Sequence, residues 1–297
     1  MNKAIVQTLP ILLLFLTGCN KLDDSLERKE KELLSTGTTE IDGGTLYYEV
    51  MGDGPSLVLI HGGGTDHRMW DDQFEIFAKH YKVIRYDVRG AGRSDFPKKP
   101  YSHSQDLYNL LRFLKIEKTS LVGLSRGGRI AISLILEHPE MAQNLILVSS
   151  NLGRLPEAYR QGFAKVLSTI HQEGLVRAVE VFLEDPFQAP RKKNLRARQQ
   201  LRIILSDNLP MFLFLFGSKL DQRLDPPVHQ RLNELELPTM IISGNHDHPL
   251  ARANADTWKK SISGAQKIVM LDAAHLANMD QPEKFNQIVL NFLSSQP

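Results

Sequence analysis

The chain has 297 residues, 42% of them hydrophobic and 24% charged, which suits one large globular domain with a sizeable core or two small ones. A formal net charge of +2 supplies no basic field of the kind that holds nucleic acid, and a single cysteine, Cys19, excludes an internal disulfide framework. No internal repeat at solenoid or propeller periods is present.

The N-terminus reads as a targeting segment rather than part of the fold. Lys3 precedes a mostly apolar run over 4–17, interrupted by Pro10 and short of the roughly 18 residues of a membrane span. The run ends in Leu16-Thr17-Gly18-Cys19, which resembles the bacterial lipoprotein signal. The resemblance implies that residues 1–18 are removed and that Cys19 is lipidated. It also implies a place in the cell envelope, at the outer membrane if the host has one, because Asn20 rather than aspartate follows the cysteine. Otherwise the outer face of the cytoplasmic membrane is expected. An ordinary secretory signal or a short anchor is the alternative. More than one acyl chain gives stable anchoring without a spanning helix. Residues 19–40 are polar and dense in charge, and read as a solvated tether with room for a short helix.

The body alternates two periods. "IDGGT" is a hairpin turn and "TLYYEVM" the strand after it. "SLVLI" is a short apolar run, as for a strand buried on both faces. "RMWDDQFEIFAKH" has helical spacing at Trp70, Phe74 and Phe77, and "KVIRYDV" is again a strand. "SQDLYNLLRFLKI" is helical, with Ser104 as its expected cap. "TSLVGL" is a strand, "RGGRIAISLILEHP" a helix stopped by Pro139, and "NLILVSS" a strand. "TMIIS" and "KIVML" are later strands, and "PEKFNQIVLNFLSS" a closing helix with proline and glutamate in its first turn. The expected fold is α/β: a mostly parallel sheet covered by helices on both faces, over 41–150 and 238–297.

Over 151–237 the alternation fails. Three helical stretches appear there, too long for a loop, and they read as a helical cap inserted over one edge of the sheet. Within it "PMFLFLFG", Phe163, Val181 and Phe182 are apolar, as core of the cap or as a wall of an apolar acyl pocket that favours a medium chain over acetate. "RKKNLRARQQLR" is a basic helix face, solvated or turned toward anionic lipid or substrate.

The stretch "LVGLSRGGRI" carries the chemistry. Gly123 and Gly127 flank Ser125 where a strand ends and a helix begins. Such a turn is too tight for side chains at its flanks. It lifts a serine hydroxyl above the strand and aims the Arg126 N–H, at a helix N-terminus, toward an adjacent negative charge. Ser125 is therefore the candidate nucleophile. "HGGG" follows "SLVLI" directly, and its backbone N–H groups can approach a ligand closely. Gly63 is the candidate second donor to an oxyanion, beside Arg126.

His61-Gly62 after a strand, "YDVRGAGRSD", "GLSRGG", "SGNHDHP" and "AAHLANMDQPEKF" occur in this order and together resemble the α/β-hydrolase fold family from about Ile41 onward, apart from the insertion. The family often has a helical cap at that place. Its order of nucleophile, acid and histidine implies Asp247 as the acid and His275 as the base. Both are expected in loops at the carboxyl ends of strands. His246 and His248 form H-x-H, but with no evident third ligand no metal site is expected. His61 is read as support for the glycine loop, and His67, His103 and His171 as surface or cap residues.

The implied function is a serine hydrolase that cleaves an ester or related acyl bond of a small molecule through an acyl-serine, with no cofactor. Lactones, thioesters, amides, C–C bonds and a haloperoxidase-like activity stay open. Epoxide and haloalkane hydrolases of the family use an aspartate where Ser125 stands. From another class, a non-catalytic hydrolase-like surface binding protein would be marked by a broken triad, and here every position is filled. A membrane-facing lipase is a further reading, with the basic helix and "MFLFLF" at the interface.

Overall fold

The computed structural model describes residues 34–150, 157–217 and 220–296, apart from the side chains of residues 158 and 210–217. The expected signal, Cys19 and the first part of the expected tether lie outside these residues, as do the side chains of "PMFLFLFG". Strands β1 (Leu34–Ile41) and β2 (Gly44–Met51) form a hairpin in which Ile41 opposes Gly44, and Gly43 turns the chain at φ 82°. Residues 34–40, expected in the tether, are thus an edge strand. Their polar, threonine-rich sequence concealed it, because pairing with β2 is made by backbone groups that carry no hydropathy pattern.

Strands β3 (Ser56–Ile60), β4 (Lys82–Tyr86), β5 (Thr119–Leu124), β6 (Ala142–Val148), β7 (Thr239–Gly244) and β8 (Gln266–Met270) complete an eight-stranded sheet of order β1-β2-β4-β3-β5-β6-β7-β8. From β4 to β8 all pairs are parallel, whereas β1 and β2 run antiparallel. β5 and β7 are buried along their whole length, as their mostly apolar sequences suit. β8 is a half-exposed edge.

Side chains alternate between two cores, as the period of two in a strand dictates. Leu57, Leu59, Val122, Leu124 and Ile146 meet α1 (Asp71–Ala78) and the closing α9 (Pro282–Ser294). Val58, Ile60, Leu121, Leu145 and Leu147 meet α2 (His103–Phe113), α3 (Arg126–Glu137) and α7 (Pro249–Ser261). α2 is capped by Ser102, whose Oγ accepts from the Gln105 N–H at 3.4 Å; Ser104, the expected cap, lies inside the first turn. A short α8 (Ala277–Asp280) precedes α9.

The insertion is helical: α4 (Glu157–Glu173), α5 (Leu175–Glu184) and α6 (Leu195–Gly217). Its described residues share the core of the body: Val166, Ala178, Leu201 and Leu205 lie in one apolar cluster with Val122 and Val148. Asn208 fixes α6 to the body, donating to Asp66 Oδ2 at 2.7 Å and accepting from the Gly92 N–H at 2.8 Å. The basic stretch is engaged within the molecule: Arg196 pairs with Asp72, Arg202 with Glu180, and Arg198 donates to the Leu183 and Pro190 carbonyls. Val228, Leu232 and Leu235, inside the stretch expected to be cap, pack in the second core cluster.

The strand order creates a crevice. From β3 the chain crosses to β4 on one side; from β4 it returns past β3 to β5 on the other. The connections leaving the carboxyl ends of β3 and β5 therefore part, and a ligand site opens between them. His61 follows β3 at this point, wholly buried, and its Nε2 accepts from the Val88 N–H at 2.9 Å. Its Nδ1 consequently carries the proton, and lies 2.8 Å from the Gly62 carbonyl oxygen. His61 thus supports the glycine loop. His67 and His103 are not surface residues: each is 5% exposed, and His67 Nδ1 bonds Asp87 Oδ1 at 2.7 Å. His171 is exposed on α4.

Burial, with the Arg126 charge, lowers the His61 pKa from about 6.5 to about 4. The native ring stays neutral where the unfolded chain takes up a proton, so stability is full above pH 6.5 and falls as pH drops from there toward 4. His61 alone contributes a loss of about 3 kcal/mol over that window. Urea denaturation at pH 7, 5.5 and 4 should show that decline. His61→Gln, less stable throughout, should show a flatter one; equal slopes would contradict the assignment.

Candidate active site

Ser125 stands at the crevice, between the end of β5 and the start of α3. Its backbone has φ 53° and ψ −111°, a region that costs a non-glycine residue of order 1–3 kcal/mol. Surrounding bonds hold it there: the Ser125 N–H donates to the Val148 carbonyl at 2.9 Å and its carbonyl accepts from the Gly128 N–H at 3.2 Å. The glycines are required by close approach. A Cβ on Gly127 would lie 2.2 Å from the Ile60 carbonyl oxygen, and one on Gly123 would lie 2.5 Å from the Gly127 carbonyl. The first turn of α3 is therefore pressed against the ends of β3 and β5. As the first helical residue, Arg126 has a backbone N–H without an acceptor inside the helix.

The glycine loop faces this turn. A Cβ on Gly62 would come 3.6 Å from the Ser125 Cβ. The Gly62 carbonyl accepts from the Arg126 guanidinium at 3.3 Å as well as from His61 Nδ1. In a trans peptide the C=O and the next N–H point in opposite directions. Pinning the Gly62 oxygen toward His61 and Arg126 thus turns the Gly63 N–H the other way. Burial pushes the Arg126 guanidinium pKa down, and its Nε is buried with no partner among the described residues.

Asp247 follows β7 and His275 follows β8, and the structure brings them together. His275 Nδ1 lies 3.1 Å from Asp247 Oδ2 and 3.2 Å from Oδ1, so Nδ1–H donates to the carboxylate and Nε2 is left without the proton. The two residues are 1% and 6% exposed. Burial disfavours the Asp247 charge, but the His275 ring, the His248 N–H at 2.7 Å and the Tyr159 hydroxyl at 3.0 Å outweigh it and hold the carboxyl below the ordinary range. The loops are tied to each other, with the His246 N–H on the Ala273 carbonyl at 2.9 Å.

The neighbours of Asp247 have other duties. His248 Nδ1 accepts from the Leu250 N–H at 3.2 Å and caps α7, while its ring packs against Tyr159 and Phe187. Among the described residues, Asp66, His67 and Asp87 offer donor atoms within 4.8 Å of one another. These atoms already serve the fold: Asp66 binds Arg68 and Asn208, and Asp87 binds His67 and the Arg93 N–H.

Sequence reading missed what the cap supplies. The Tyr159 hydroxyl reaches Asp247, and the Phe187 carbonyl accepts from the His275 N–H at 2.9 Å. No local pattern marks either residue, because contact between cap and loop is made only in the folded chain. Asp280 lies in a motif that was read, and its carboxylate accepts from the Ala274 N–H at 2.8 Å and the Arg191 N–H at 2.7 Å. Phe163, Val181 and Phe182 line, with Tyr159 and Asp185, a cavity of about 350 Å³ between α4 and α5.

The chain is similar to known proteins along most of its length. The chain is 27% identical to 3-oxoadipate enol-lactonase 1 of Acinetobacter baylyi, over 89% of this chain and 98% of that protein. It is 28% identical to the pimeloyl-[acyl-carrier protein] methyl ester esterase of Yersinia enterocolitica, over 83% of this chain and 96% of that protein. The crystal structure of an enol-lactonase from Burkholderia xenovorans superposes with a TM-score of 0.75 at 26% identity, covering 87% of this chain and all of that one. Residues 55–282 match the model of the alpha/beta hydrolase fold, and the chain belongs to that family of enzymes.

Proposed function

We propose that the protein is a serine hydrolase of carboxylic esters, lactones included, in which Ser125 is the nucleophile, His275 the base and Asp247 its orienting acid. The observation that carries the reading is the buried Asp247–His275 pair, with Nδ1 committed to the carboxylate, on the same carboxyl-end surface of the sheet as the strained Ser125. His275 Nε2 takes the Ser125 proton as Oγ adds to the acyl carbon. The carbonyl π electrons move to oxygen, and the Gly63 and Arg126 N–H groups stabilise that charge. Collapse restores the carbonyl and expels the alkoxide, which receives the proton from His275. Water then repeats the sequence against the acyl-serine, releasing the acid. In a lactone the leaving alcohol is part of the same molecule. The relatives named as an enol-lactonase and a methyl ester esterase support this substrate class.

A fluorophosphonate should label wild-type protein at Ser125. Ser125→Ala should abolish labelling and ester hydrolysis while melting within a few degrees of wild type; an alanine variant that still labels would refute the assignment.

The same proposal places the enzyme on the cell envelope through lipid at Cys19. Leu16-Thr17-Gly18-Cys19 supports this reading. Among the described residues no helix is long and apolar enough to cross a membrane. In a bacterial host, labelled palmitate should enter the wild-type chain and not Cys19→Ser, and the purified body should hydrolyse esters equally with or without the anchor. Equal palmitate incorporation into both chains would remove Cys19 as the anchor.

A further inference from the structure

The acid–base pair is supported from two sides, and one side is the cap. Asp247 Oδ1 receives the His248 N–H at 2.7 Å, from its own loop, and the Tyr159 hydroxyl at 3.0 Å, from α4. Tyr159 is 5% exposed, and its ring lies 4.9 Å from that of His248 and 6.1 Å from that of His275. Burial and the adjoining Asp247 charge raise the phenol pKa, so the hydroxyl remains a donor at any working pH. The loop of His275 is held by the same insertion. The Phe187 carbonyl accepts from the His275 N–H at 2.9 Å, and the Asp280 carboxylate bridges the Ala274 and Arg191 N–H groups. Asn194 Nδ2 donates to the Met279 and Asp280 carbonyls, each at 3.1 Å.

We propose that Tyr159 is a positioning residue: its hydroxyl fixes the Asp247 carboxylate, and through it the His275 ring, so that the acid–base pair is set only while the cap is seated. This rests on the hydrolytic reading of Ser125, Asp247 and His275. With two further donors on Oδ1, the carboxylate cannot rotate freely, and both of its oxygens stay in reach of Nδ1–H, Oδ2 at 3.1 Å and Oδ1 at 3.2 Å. The phenol also draws part of the carboxylate charge to itself. Without it the carboxylate turns more easily and no longer presents a fixed face to the Nδ1–H of the ring. The other titratable groups around the pair are Asp185 from the cap, His246 and His248 from the loop after β7, and Asp280 from α8.

Tyr159→Phe keeps the ring packing and removes only the hydroxyl. With p-nitrophenyl butyrate from pH 5 to 9, we expect kcat to fall about tenfold, the worth of one hydrogen bond to a charged group, with KM within about twofold. An arm independent of turnover is the His275 Nδ1 proton resonance, which should shift or broaden in the variant. A folded Tyr159→Phe protein with unchanged kcat and Nδ1 resonance would overturn the proposal. If the wild type hydrolyses no ester, the functional reading falls instead, and the resonance alone decides whether Tyr159 sets the pair.

Discussion

The close approach of the first turn of α3 to the ends of β3 and β5 is the constraint on which the rest of the site depends. It demands glycine at 123 and 127, since a Cβ on Gly127 would meet the Ile60 carbonyl at 2.2 Å. It forces Ser125 to φ 53°, and it places the Arg126 side chain where it donates to Gly62. One contact therefore sets the serine, the helix N-terminus and the glycine loop together. The strain at Ser125 is offset by ladder bonds to β6 and by the two apolar clusters on either face of the sheet.

The remaining half of the site is assembled differently. Asp247 and His275 stand on the loops after β7 and β8, and β8 is the half-exposed edge of the sheet. The loop after β8 is packed in the core through Ala273, Leu276 and Met279. The cap adds polar bonds to both loops, through the Phe187 carbonyl, the Arg191 N–H and the Tyr159 hydroxyl, and through Asn208 it is itself bound to the loop after β3. The cap thus shares its apolar core with the body and makes polar bonds to Asp247 and His275.

Much of this was legible in the sequence for a physical reason. Strands buried on both faces must be unbroken apolar runs, so "SLVLI", "TSLVGL" and "TMIIS" marked themselves. A glycine-flanked serine between strand and helix allows few conformations, so Ser125 did as well. β1 was not legible, because an edge strand held by backbone bonds tolerates serine and threonine. Ser104 was read as the cap of α2, but the helix begins one residue before it and Ser102 caps it, since residue type alone does not fix where a helix starts. His67 and His103 were read as surface or cap residues because histidine composition says nothing of burial, which here depends on the partner Asp87 and on the packing of α2. Tyr159 carried no signal, since what it touches lies 88 residues away. Asp247 and His275 needed the family resemblance, because their pairing joins two loops with no shared local pattern.

The central claim is that Ser125 attacks an acyl carbon while the Gly63 and Arg126 N–H groups receive the resulting charge. The most direct test is a crystal structure with an alkylboronic acid, whose tetrahedral adduct stands in for the addition intermediate. The account predicts a covalent bond from Ser125 Oγ to boron and one boron-bound oxygen about 2.7–3.1 Å from both backbone nitrogens. A boronic acid bound elsewhere, or an adduct whose oxygens avoid Gly63 and Arg126, would contradict it.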